Sequence, residues 1–141
     1  MSKIKFNGLK VAGRFTDTFN DILDLDYDTL DICYSKGLEI HIKKQKHYNC
    51  LKYLDRIQEI VKSPDYVGVN PHEYGSDTIE LVKSYREEDI IIGIKLDKSG
   101  EYFYISTMYT LTSSKIARRL HSGRLKPMVA RRVSILKSMS A

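Results

Sequence analysis

The chain is poor in several features that would assign it a class at once. It has only two cysteines, Cys33 and Cys50, each beside apolar or aromatic residues and without CxxC spacing; they read as buried thiols in a reducing compartment. No apolar segment approaches the roughly 20 residues of a membrane span, and no charge-flanked apolar run opens the chain at Met1. A cytoplasmic protein with no membrane partner is therefore expected. There is no glycine-rich phosphate loop, no GxSxG and no HExxH, and the acids do not cluster with histidine at metal-ligand spacing, so no common motif for nucleotide, esterase or zinc-protease chemistry is present. Acid is also missing from the last part of the chain. From Lys115 onward come Lys115, Arg118, Arg119, Arg124, Lys126, Arg131, Arg132 and Lys137 with no Asp or Glu.

What is present is polarised. The formal net charge of the 141 residues is +5, a length that suits one domain with its own core. Asp17, Asp21, Asp24, Asp26, Asp28 and Asp31 crowd one N-terminal stretch, which reads as a solvated face or as a shield over the basic surface. The basic end fits a nucleic-acid partner or a solvated helix face. HIKKQKH, His41 to His47, sets two imidazoles six residues apart around Lys43, Lys44 and Lys46. Imidazole exchanges protons near neutral pH and lysines attract a polyanion, so the segment suggests acid/base chemistry on a phosphodiester. Two histidines are too few for a metal site and the lysines repel a cation, so neither metal nor cofactor is expected. His72 and His121 read as ordinary loop or helix-end residues.

The fold expected from pattern is α+β. Lys3 to Phe15 alternates about Asn7-Gly8 as a hairpin would. The aspartate stretch fits helical spacing and, over Leu23 to Asp28, strand alternation; a short helix to about Leu25 is preferred. Asn49 can cap a helix to about Lys62 with Cys50, Leu51, Leu54, Ile57 and Val61 as its apolar stripe, ended by Pro64. A Gly-, Pro- and Asn-rich loop over 68–75 leads to strands Thr78 to Tyr85, Asp89 to Asp97 and Glu101 to Leu111, the last two joined by a turn at Asp97-Lys98-Ser99-Gly100. Ile90, Ile92, Ile94 and Leu96 must face the core. With Leu96 opposite Tyr102, Lys95 shares the other face with Thr107 and Tyr109. Thr112 or Ser113 caps a helix ending near Gly123, with Ile116 and Leu120 inward and Lys115, Arg118 and Arg119 outward. A last segment from Pro127 is a docking helix or a tail. The single domain, 1–141, divides on this reading into an acidic extension (1–34), a core (35–126) and a basic C-terminal helix or tail (127–141).

The order GLEIHIKKQKH, a helix ending in IVKSPDYVG, a strand containing IGIKLD, then YISTMYTLTSSKIARR and SGRLK resembles the phage-type branch of the barnase, EndoU, colicin and RelE-like nucleases, the BECR fold. The resemblance spans roughly Ser35 to Lys126. It implies helices followed by a four-stranded antiparallel sheet, with a strand still to be supplied by Asp31 to Ser35 or by PDYVG. It also implies a metal-independent ribonuclease, often a toxin of phages or mobile elements, in which a ribose 2′-OH attacks the adjacent phosphate and a 2′,3′-cyclic phosphate remains. Carried onto this chain, His47 is the best general base or acid and His41 its partner, Lys95 and Arg118 clamp the phosphate, and Thr107 and Tyr109 donate hydrogen bonds or relay a proton. Tyr66 would stack a base, and Lys44, Arg119, Arg124 and Lys126 would hold RNA. The implied partners are RNA and an antitoxin or immunity protein. Two rival classes share these features: a non-catalytic RNA- or DNA-binding module, and a protein-binding module for an antitoxin or virion protein.

Overall fold

The computed structural model describes residues 8–70 and 77–128. Strand β1 (Lys10–Phe15) leads into helix α1 (Asp17–Leu23), strand β2 (Leu30–Tyr34) and helix α2 (Gly37–Lys44). A 3-10 helix (Tyr48–Arg56) and helix α3 (Ile57–Lys62) precede strands β3 (Tyr66–Asn70), β4 (Thr78–Ser84), β5 (Asp89–Leu96) and β6 (Phe103–Leu111). Helix α4 (Ser113–Ser122) and a short strand β7 (Leu125–Pro127) complete the described chain. The class is α+β. The strands form one sheet in the order β1-β2-β6-β5-β4-β3-β7.

The expected meander is the centre of this sheet: β3, β4, β5 and β6 pair antiparallel in succession. Both stretches proposed for the missing strand are strands, β2 and β3. The sheet is wider than four strands because β1 and β2 pair antiparallel and β2 joins β6 in parallel at Ile32–Phe103 and Cys33–Tyr104. The partner of β1 is thus β2, and the first half of the expected hairpin lies outside the described residues. Residues read as an acidic extension instead give two strands and a helix to the same core, to which Phe15, Phe19, Ile22 and Ile32 belong. The last segment also differs from expectation. It begins as β7, paired with β3, and residues 129–141 lie outside the described residues, as does His72.

Period-two alternation divides the sheet into two unlike faces. Ile79, Leu81, Ile90, Ile92, Ile94, Phe103 and Met108 meet α1, α2, α3 and the 3-10 helix in the main core. Each fully buried isoleucine there contributes roughly 1.5–3 kcal/mol of transfer free energy. On the other face a small cluster of Val82, Ile91, Leu111 and Leu125 lies under Ile116 of α4, and no other described helix packs on that face. The aspartates of α1 consequently lie across the sheet from α4 and do not shield it; Asp31, on β2, pairs with Arg14 at 2.9 Å.

Helix boundaries follow local chemistry. Thr112 caps α4, its hydroxyl accepting from the Lys115 amide at 3.3 Å, as its sequence indicates. The stretch after His47 departs from the expected α-helix. It runs as 3-10, where residues three apart eclipse, so Cys50 and Tyr53 are buried while Leu51 and Leu54 are only half-buried. His47, not Asn49, holds the cap position, without a side-chain capping bond.

Candidate functional site

The floor of the site is the open face of β4, β5 and β6. Turn geometry first sets the register: Leu96 pairs with Phe103 and Lys95 with Tyr104, one residue from the expected pairing. A bulge between Gly93 and Ile94 then shifts the ladder again, so Gly93 faces Thr107 and Ile91 faces Tyr109. The two differences cancel in effect, and Lys95, Thr107 and Tyr109 share a face as alternation indicates. Gly93 lies at the centre of this floor. A Cβ there would stand 2.9 Å from the Thr78 methyl and 3.0 Å from the Thr107 methyl, so any side chain would crowd them apart.

The wall on one side comes from α2 and the turn after it. Beyond Tyr104, β6 has no strand on its outer edge among the described residues, and α2 and the 3-10 helix pack there. Leu38 and Ile42 anchor α2 in the core, and His41, between them in sequence and half-buried, reaches the rim of the open face. Lys46 then turns the chain with φ 59°. Its amide donates to Lys43 O at 3.1 Å and the His47 amide to Ile42 O at 3.0 Å, the double bond of a Schellman motif with lysine where glycine is usual. Left-handed backbone at a non-glycine residue costs of order 1 kcal/mol, and such strain clusters at functional sites. Its consequence here is to bring the His47 ring to Tyr109, with centroids 5.5 Å apart at 44°. Cys50 fixes this arrangement from below, its thiol lying 3.1 Å from the His47 carbonyl and 3.2 Å from the Met108 carbonyl. Burial pushes that thiol up to about 11, so it stays protonated at neutral pH and serves as a donor.

The opposite wall holds a residue that sequence reading passed over. Glu80 is 3% exposed. Arg124 grips it with both Nε–Oε1 (3.1 Å) and Nη2–Oε2 (2.9 Å), the bidentate geometry of the strongest guanidinium–carboxylate pairs. Arg119 Nη1 adds a longer ion pair at 3.6 Å and has no hydrogen-bond partner among the described residues. The hydrogen bonds to Glu80 hold Arg124 still further in its charged form. Two guanidiniums on one carboxylate leave a net positive charge beside the cavity. Gly68 sets the position of this group: a Cβ there would overlap the carbonyl oxygen of Arg124, so the glycine of PDYVG lets β7 come close to β3. An acid inside the apolar run TIELV is the signal that could have revealed Glu80.

These elements enclose two adjoining cavities. One, of about 280 Å³, is lined by His41, Asn70, Thr78, Glu80, Lys95, Ser106, Thr107 and Tyr109 among others. The second, about 210 Å³, lies at the edge of β6 between Lys46, His47, Tyr48, Asn49, Tyr109 and Thr110. Tyr109 is the wall they share. The fold therefore brings together His41, Lys95, Thr107 and Tyr109, with His47 on the other side of Tyr109. Lys95 has no ion pair among the described residues. Arg118 is exposed on α4, apart from the residues lining either cavity, and Lys44 is exposed at the end of α2. Arg119 and Arg124 face Glu80 rather than solvent, so Arg119 departs from the outward orientation expected for it. Lys126, paired with Val67, turns to the helix-covered face, where its Nζ lies 3.4 Å from Ile22 O. Tyr66 packs half-buried against the cluster under α4; the aromatic ring left in solvent beside the site is Tyr48, 57% exposed.

Among the described residues no three His, Cys, Asp or Glu side chains stand together as ligands for a metal ion, and no helix is long and apolar enough to cross a membrane. The family described as phage-Barnase-EndoU-ColicinE5/D-RelE like nuclease3 matches residues 10–118. The match takes in β1 through most of α4, including both cavities. No curated protein and no solved structure matches the chain.

Proposed function

The chain belongs to the phage Barnase-EndoU-ColicinE5/D-RelE like nucleases, and from that premise we propose that it is an endoribonuclease acting without a metal ion. The reaction is attack of a ribose 2′-OH on the adjacent phosphorus: the 2′ oxygen loses its proton to a base, the bond from phosphorus to the 5′ oxygen breaks, and that oxygen takes a proton from an acid. The products are a 2′,3′-cyclic phosphate and a 5′-hydroxyl. The observation that carries this reading is the convergence of His41, Glu80, Lys95, Thr107 and Tyr109 on one cavity, with Arg124 and Arg119 held on Glu80.

In this mechanism His41 and His47, on either side of Tyr109, are the proton-transfer pair, and His41 has the larger share because it lines the cavity that would hold the phosphate. Lys95 opposes the charge that develops on the phosphate oxygens, and Thr107 and Tyr109 donate hydrogen bonds to them. Glu80 acts through Arg124 and Arg119, holding their charge at the wall. Both of its oxygens are already engaged, which favours general acid/base and electrostatic catalysis over metal ligation. Arg118, and Lys44 further off, would guide the RNA strand. In the cell such an enzyme is a cytoplasmic toxin or effector of a phage or mobile element, restrained by an antitoxin or immunity protein.

The test is incubation of purified protein with total RNA in excess EDTA, followed by end-group analysis. Cyclic phosphates with 5′-hydroxyls are expected. Strict dependence on magnesium or manganese, or 5′-phosphate ends, contradicts the reading, and binding of RNA without cleavage would make the protein a binding module.

A further inference from the structure

The second cavity has no part in proton transfer beyond His47, yet it is built for a ligand of its own. We infer that it is a subsite for one unpaired nucleobase, next to the phosphate cavity; this rests on the nuclease reading above. Its volume of about 210 Å³ is below the roughly 300 Å³ at which sites for drug-sized molecules begin, so it takes a fragment such as a single ring system. Tyr48 stands at its edge 57% exposed, and it and Ile40 are the large apolar side chains left in solvent among the described residues. A planar ring exposed beside a cavity is a stacking platform, and stacking tolerates any base.

Discrimination among bases needs a donor and an acceptor side by side. Asn49 offers both on one amide. Its side chain is exposed and makes no hydrogen bond among the described residues, and paired amide contacts of this kind read base edges. Lys46 adds a cation at the rim. The shared wall fixes the geometry. Because Tyr109 lines both cavities, a base in one leaves its own phosphate at the other, next to His41 and Lys95. A base within a duplex is stacked and paired, so the occupant is a splayed base of single-stranded RNA.

The experiment is an NMR titration of the isotope-labelled protein with each of the four nucleoside 3′-monophosphates, with inorganic phosphate as the control. The nucleotides should shift the Asn49 side-chain amide and the Tyr48 and Thr110 backbone amides, whereas phosphate alone should move only resonances around Lys95 and Thr107. Tyr48→Ala should weaken all four nucleotides about tenfold, as loss of a stacking partner does, and Asn49→Ala should level the differences among them. Both side chains are exposed, so the spectra of the variants should otherwise match the parent. Nucleotides that move only what phosphate moves, or four unchanged affinities in Asn49→Ala, overturn the subsite. The titration needs no cleavage, so an inactive protein that still binds bases would sink the nuclease reading alone, and cyclic-phosphate production without base binding would sink the subsite alone.

Discussion

On the face of the sheet that the helices cover, Ile79, Leu81, Ile90, Ile92 and Ile94 are all at most 1% exposed; on the other face, the same two strands present Thr78, Glu80, Gly93 and Lys95 to a cavity. The contrast arises within single strands, one residue to the next. It teaches that the period of two lets β4 and β5 supply stability on one side and, on the function proposed above, chemistry on the other, so substitutions at neighbouring positions should fail in different ways.

The sharpest form of the contrast is His41→Ala against Ile92→Ala. The first should lower RNA cleavage by about two to four orders of magnitude, the range for a positioned acid or base, with the unfolding midpoint kept. The second should lose about 2–5 kcal/mol of stability by leaving a cavity in the core, while the folded fraction cleaves normally. Denaturant titration and initial rates on the same samples separate them. A destabilised His41→Ala protein, or a folded but inactive Ile92→Ala protein, would break the division.

Glu80 is where the two faces blur. It lies on the polar side, yet is nearly as buried as the core. Removing one partner of a buried ion pair costs about 3–5 kcal/mol because the other charges lose their compensation, so Glu80→Ala should lose stability of that order as well as activity. A stable Glu80→Ala protein with reduced cleavage would show that the group serves chemistry alone. Gly68→Ala should cost less, about 1–3 kcal/mol as for overpacking elsewhere, because β7 can move away from β3; an undiminished unfolding midpoint would mean that the close approach is absent in solution. The smallest effect belongs to neither face. Glu39 and Lys43 pair at 3.0 Å on the outer side of α2 with both side chains about half exposed, so Lys43→Ala should change stability by no more than about 0.5 kcal/mol, measured in low and high salt.

Much of this division was legible beforehand where its causes are local. Alternation in β5, the turn residues from Asp97 to Gly100 and the Thr112 cap of α4 each depend on neighbours in sequence, and the strands and helix they imply are present. Pairings that close over long distances were not legible: β1 with β2, the two-residue parallel contact of β2 with β6, and the return of β7 to β3. Tyr66 read as a free aromatic because nothing near it in sequence reveals Leu125 and α4 packing over it. Glu80 escaped notice since an acid at an alternating strand position ordinarily faces solvent, and only the fold brings Arg124, 44 residues away, onto both its oxygens. The grouping of Lys95 with Thr107 and Tyr109 followed from alternation, although the register beneath it differed by a turn offset and a bulge.

The claim that the open face cleaves RNA through its own 2′-hydroxyl is tested most directly with one short RNA and its counterpart carrying a single 2′-deoxy sugar at the cut site, both in excess EDTA. The RNA should be cut to a 2′,3′-cyclic phosphate, and the deoxy substitution should abolish cutting at that bond; cleavage of the deoxy-substituted bond at an unchanged rate rules out attack by the 2′-hydroxyl.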